Sequence, residues 1–203
     1  DLAKVANEHE LLILADEVYE KLVFDENKHF SIASQSEFRN STITVNSFSK
    51  TYAMTGWRVG YVVANEDITT GIRKIHGYMV SCAPASAQKA AIEALSGPQD
   101  SVSEMVQEYW RRRDLTVTGL NAISGFHCVP PKGTFYAFPD VSKLGMPSGK
   151  IAEELLEQAK VASIPGSAFG KAGEGYLRLS FAASQRSIQD ALSRINAWRS
   201  QRK

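Results

Sequence analysis

Leu11-Leu12-Ile13-Leu14-Ala15 is an unbroken apolar run that stops at Asp16-Glu17. A run this short, with polar residues on both sides, reads as a strand buried on both faces, as in a parallel sheet. Thr42-Ile43-Thr44-Val45, ending at Asn46, is a second strand, and Val59 to Ala64 a third. The first two are far enough apart for a crossover connection, with a turn expected at Asp25-Glu26-Asn27-Lys28. The link around Gly56 is short, so the third strand can run antiparallel to its neighbour. Parallel strands deliver the residues that follow them to one edge, where open α/β sheets bind ligands.

Helices follow this sheet. Asp67 reads as an N-cap for a helix running to Val80, and Pro84 opens another that Gly97-Pro98 stops. A long helix starts near Ser101 and ends near Gly125. The remainder changes order. Phe126 to Val129 and Thr134 to Phe138 read as strands around a Pro-Pro-Lys-Gly turn. Ile151 to Lys160 is helical with Leu155 and Leu156 inward, Val161 to Ile164 is a short strand, Tyr176 to Ala182 alternates as a strand, and Ser187 to Arg199 is a final amphipathic helix. The fold class is therefore α/β: part of a mostly parallel, helix-flanked sheet in residues 1–100, then a small α+β domain in residues 101–203. Asp1 to Glu10 reads as the tail of an amphipathic helix with Leu2, Val5, Ala6 and His9 on one face, so the chain is expected to enter in mid-domain, as a fragment.

Lysine plus arginine total 23 and aspartate plus glutamate 22, so the formal net charge is +1. That balance gives no support for a nucleic-acid or membrane-surface partner. Cys82 and Cys128 stand far apart, in no metal or redox motif, as expected of a cytoplasmic protein. No metal site is expected.

The chemistry concentrates behind the second strand, in Ser47-Phe48-Ser49-Lys50-Thr51-Tyr52 and Gly56-Trp57-Arg58-Val59-Gly60-Tyr61. Two hydroxyls, an amine and a guanidinium at one strand end suit an aldehyde that carries a phosphate. The amine can condense with the carbonyl as a Schiff base, and hydroxyls with a guanidinium can hold the phosphate. Asp16 reaches the same sheet edge. Taken singly, Asp16 is an ordinary cap or turn residue, Lys50 and Arg58 ordinary surface charges, Tyr19 an interior aromatic and Trp57 core packing. Their joint arrangement sets them apart.

Asp16-Glu17-Val18-Tyr19, Ser47-x-Ser49-Lys50 and Gly56-Trp57-Arg58-Val59-Gly60-Tyr61 resemble the class I and II aminotransferases of the aspartate aminotransferase fold. Lys132-Gly133-Thr134-Phe135-Tyr136, Pro165-Gly166-Ser167-Ala168-Phe169-Gly170 and Leu177-Arg178-Leu179-Ser180 continue the likeness in the family's order. The resemblance implies pyridoxal 5′-phosphate (PLP) as cofactor, with Lys50 as its Schiff-base partner and the base that moves the substrate proton. It implies Asp16 at the pyridine nitrogen, Tyr19 at the phenolic oxygen, Ser47, Ser49 and Arg58 at the phosphate, and Arg178 at the substrate carboxylate. Gly133 is expected to make a tight turn; Phe169 is expected either at the substrate entrance or in the core.

The implied reaction is amino transfer between an amino acid and a 2-oxo acid in a homodimer. The alternatives are a PLP-dependent lyase or decarboxylase of the same fold, and the effector domain of a transcription regulator. The family's glycine-rich phosphate turn, ring-stacking aromatic and asparagine precede the Asp-Glu-x-Tyr strand and are not in this sequence. The 203 residues alone are therefore expected to bind the cofactor poorly and to be inactive.

Overall fold

Strands β1 (Ile13–Asp16) and β2 (Thr42–Ser47) pair in parallel, with Ile13 opposite Thr42 and Asp16 opposite Val45. Strand β3 (Gly60–Val63) pairs antiparallel to β2 on its other side, with Ser47 opposite Gly60. The sheet is thus mixed. The computed structural model describes residues 1–202, which form two compact units, residues 1–103 and residues 104–202.

In the first unit, helix α1 (Leu2–Glu8) precedes β1, and the short helix α2 (Phe48–Thr51) leaves the end of β2 directly. Helices α3 (Glu66–Val80) and α4 (Ala85–Ser96) follow β3. Asn65, not Asp67, caps α3: its side-chain oxygen accepts from the Ile68 amide at 2.9 Å. Asp67 and Glu66 instead occupy the first turn, where the helix dipole favours carboxylates. The core beneath α2 consists of Phe48, Met54, Val59, Ala87 and Ala91. The two alanines bring α4 close to this cluster.

Strand β1 is not buried on both faces: Leu14 is 70% exposed, and Leu11 and Leu12 are also exposed. Among the described residues β1 is the sheet's edge strand, and nothing covers that apolar face. Val62 and Val63 of β3, and Ile75, Tyr78, Met79 and Val80 of α3, are likewise exposed, as are Leu2 and Val5 of α1. Trp57 is not core: it lies in a tight turn, Thr55–Trp57, and is 47% exposed.

Helix α5 (Asp100–Asn121) leads into the second unit, where β4 (Tyr136–Ala137), β6 (Leu177–Ser180) and β5 (Ile164–Pro165) form an antiparallel sheet in that order. Helices α6 (Ser148–Glu157) and α7 (Gln185–Ser200) complete it, with Leu120, Ile151, Leu155, Leu177, Phe181 and Ile195 buried between them. Leu156 points outward, because its neighbour Leu155 already takes the inward position of that turn. Phe126 to Val129 does not form a strand; only His127 bridges, to Asp140. Asn121 explains why: its side-chain amide donates to the Cys128 carbonyl and its oxygen accepts from the Cys128 amide, claiming both backbone groups. In the turn after Lys132 the left-handed residue is Thr134, at φ 66°.

Gly166 and Gly173 meet backbone to backbone. A Cβ on Gly166 would lie 2.0 Å from the Gly173 carbonyl oxygen and 2.8 Å from that of Tyr176. Gly166→Ala is expected to lower stability by about 1–3 kcal/mol, read from a denaturant midpoint, because backbone atoms must move to admit the methyl. Glu108 of α5 accepts from Arg112 at 2.8 Å, from Gln185 of α7 at 3.1 Å and from Arg111 at 2.9 Å. The Arg112 hydrogen bond first, then Gln185, lowers its pKa to about 2. A lowered folded-state pKa stabilises fully above the ordinary glutamate value and is lost as pH falls towards about 2. Glu108→Gln is therefore expected to flatten the acid limb of the stability curve between about pH 4.5 and 2.

Candidate active site

Asp16 is the last residue of β1, and its exposed carboxylate accepts from the Val18 amide at 3.3 Å. Paired positions of adjacent strands share a face, and alternate residues of one strand do too. Asp16 opposite Val45 therefore places Asp16, Val45 and Ser47 on the same face of the sheet. Across from Ser47 stands Gly60, whose missing side chain allows close approach. A Cβ there would sit 2.7 Å from the Asn46 carbonyl oxygen and 3.4 Å from Ser47 Cα.

Ser47 caps α2. Its Oγ accepts from the Ser49 amide at 3.1 Å and donates to Ser49 Oγ at 2.9 Å. Phe48 and Thr51, three residues apart, are both buried, so they anchor one side of this single turn. Ser49 and Lys50 are left half-buried on its other side. Lys50 is thus fixed to the sheet end by the packing of its neighbours. Phe48 also meets the Tyr61 ring edge-on at 5.7 Å.

Arg58 follows the Thr55–Trp57 turn in the left-handed region, at φ 52°, and Nη1 donates to the Thr55 carbonyl at 3.0 Å. A non-glycine residue there costs about 1–2 kcal/mol. The strained conformation belongs to a residue that lines one cavity with the two serines. Ser47, Ser49 and Arg58 line one cavity of about 530 Å³, together with Gly60 and with Arg73 and His76 of α3. Two hydroxyls and a guanidinium facing one cavity form a donor set for a phosphate.

Tyr19 stands half-buried in the turn after β1, where the Glu20 amide donates to the Glu17 carbonyl and the Leu22 amide to the Tyr19 carbonyl, both at 2.9 Å. Glu17, which no sequence pattern singles out, secures this turn. Glu17 is buried, its amide donates to the Val45 carbonyl at 2.9 Å, and its carboxylate bonds His29 Nε2 at 3.0 Å and the Ser31 hydroxyl at 2.8 Å. The long loop is thereby tied back to the strand that carries Asp16. The only signal in the sequence was a second acid directly after an apolar run.

Arg178 lies in the second unit, on β6 between the buried Leu177 and Leu179. It is half-buried, with its guanidinium carbon 4.5 Å from the Tyr136 ring centre and 4.7 Å from that of Phe169. Phe169 is 51% exposed, so of its two expected settings the core is excluded. Among the described residues no cluster of histidine, cysteine and carboxylate side chains could hold a metal ion, and no helix is long and apolar enough to cross a membrane.

Glu17→Ala is expected to destabilise the first unit by about 1–3 kcal/mol, since it strips a buried hydrogen-bonded carboxylate from His29 and Ser31. Faster hydrogen exchange at the Glu20 and Leu22 amides, with the β2–β3 ladder unchanged, is the accompanying signature.

The family model for aminotransferase class I and II matches residues 1–195. The chain is 45% identical over 197 residues to an aspartate aminotransferase of Pyrococcus abyssi, a match covering 96% of this chain and 50% of that protein. It is 43% identical over 197 residues to aromatic-amino-acid aminotransferase 2 of Thermococcus litoralis, covering 96% of this chain and 50% of the relative. Its structure is similar to that of an aromatic aminotransferase from Pyrococcus horikoshii, with a TM-score of 0.96 at 43% identity, covering 99% of this chain and 54% of the other. The chain spans about half the length of the curated relatives it matches.

Proposed function

The chain belongs to the class I and II aminotransferase family, and we propose that it forms the carboxyl-terminal part of a PLP-dependent aminotransferase that moves an amino group between an amino acid and a 2-oxo acid. The observation that carries this reading is the shared sheet face of Asp16 and Ser47, with Ser49, Lys50 and Arg58 gathered at the same strand end.

The side chains present fit the cofactor. Ser47 and Ser49, 2.9 Å apart, and Arg58 offer hydroxyl and guanidinium donors in one cavity, which suits a phosphate dianion. Asp16 is exposed and keeps acceptor capacity beyond its bond from Val18. When bound, pyridoxal 5′-phosphate supplies a ring that accepts electron density from the substrate Cα.

The protein's own residues do the rest. Asp16 holds a proton on the pyridine nitrogen, because a carboxylate beside it favours the charged form. Tyr19 donates a hydrogen bond to the phenolic oxygen. Lys50 would hold the cofactor through its amine, and the same amine would move the proton at the substrate Cα. Arg178 binds the substrate carboxylate with two parallel N–H donors. The relatives named above are aminotransferases, which favours amino transfer over the lyase and regulator readings. Free cysteines at Cys82 and Cys128 support a cytoplasmic setting. A homodimer is proposed on family grounds. The exposed apolar face at Leu14 and Val62 supports a further segment or subunit covering the sheet, without which the 203 residues are expected to be inactive.

Borohydride reduction of the holoenzyme followed by peptide mapping is expected to place the cofactor label on Lys50. A labelled lysine elsewhere, with Lys50 unmodified, rejects the assignment. Lys50→Ala is expected to lower the transamination rate by at least about 100-fold, the scale of a lost general base.

A further inference from the structure

Arg178 has an unusual environment for an arginine. Strand β6 is the central strand of its sheet, and the two rings beside the guanidinium come from its two flanks. Tyr136 lies on β4, and Phe169 ends the Gly166–Phe169 turn that follows β5. Their centres are 4.5 and 4.7 Å from the guanidinium carbon. Among the described residues, no side-chain hydrogen bond or ion pair reaches this half-buried group. A cation so held is stabilised by ring quadrupoles, which leave its N–H groups unspent.

The rings are themselves supported. Phe169 packs against Phe138 at 6.0 Å, and Phe138 stacks on Tyr176 at 5.1 Å. Tyr136 leans on Phe135 at 4.8 Å, and Phe135 stacks on Tyr109 of α5 at 5.7 Å. The close meeting of Gly166 and Gly173 sets the turn that presents Phe169.

We propose that Tyr136 and Phe169 are positioning residues that clamp the Arg178 guanidinium by its faces and so direct its N–H edge towards an incoming carboxylate. The clamp rests on the reading of Arg178 as the substrate-carboxylate ligand and adds what makes that ligand specific. A planar ion with occupied faces accepts a planar, bidentate anion in its own plane. Because the guanidinium is immobilised before binding, less side-chain freedom is lost when the carboxylate arrives.

The test uses phenylglyoxal, which modifies accessible guanidinium groups, on the full-length holoenzyme that contains this chain. Succinate serves as the carboxylate probe, and peptide mapping follows Arg178. Succinate is expected to slow labelling of Arg178 in the parent sequence. The half-protecting concentration is expected to rise about tenfold in Tyr136→Leu and in Phe169→Leu, the scale of one lost cation–π contact. Tyr136→Phe and Phe169→Tyr, which keep a ring, are expected to retain the parent value, and this rescue separates positioning from bulk packing. Because Phe169 is half-exposed, Phe169→Leu keeps the test open if the Tyr136 variant fails to fold. Protection that is equal in the parent and both leucine variants overturns the clamp and leaves the Arg178 reading standing. Absence of succinate protection in the parent overturns the Arg178 reading itself, and the clamp with it.

Discussion

The parallel register of β1 on β2 is the constraint on which the first unit depends. Pairing Asp16 with Val45 sends both strands to the same edge and puts the carboxylate on the face that Ser47 shares. A slip of one residue would turn every β1 side chain to the other face and carry Asp16 away from the serines. The antiparallel return of β3 works on the same point from the opposite side. Gly60 is the residue across from Ser47, and only its lack of a Cβ lets the strands close there. The turn of α2 then inherits its direction from β2, and Phe48 and Thr51 lock it by burial.

Strain and polar satisfaction are distributed unevenly around this edge. Arg58 adopts a left-handed backbone at the rim of the cavity, while Glu17 is bonded to both His29 and Ser31 inside the loop. The buried bonds of Glu17 restrain a loop whose helical segments are short 3₁₀ turns. The second unit uses a different device for a similar end. Arg178 is restrained by aromatic faces instead of by hydrogen bonds, so its donors stay available.

Much of the fold was legible because strand and helix signals are local. The apolar run before Asp16, the β-branched run before Ser47 and the alternation around Arg178 all became strands near the expected positions. Errors arose where a distant or competing partner decided the outcome. Asn65 outcompeted Asp67 as a cap because its side chain reaches the Ile68 amide. Phe126 to Val129 has strand-like composition, but Asn121 captures the Cys128 backbone. Leu14 and Trp57 looked interior from their chemistry, yet burial depends on what else packs against them.

The sequence by itself determined the inventory and order of reactive groups: a carboxylate after one strand, hydroxyls and an amine after the next, an arginine between two leucines. These follow from side-chain chemistry and short-range periodicity, which neighbours in the chain are enough to express. Tertiary structure alone decided that Ser47, Ser49 and Arg58 share a cavity, that Glu17 secures the loop after β1, and that Tyr136 and Phe169 flank Arg178. Those facts depend on strand register and on contacts between residues far apart in the chain, which local pattern does not encode.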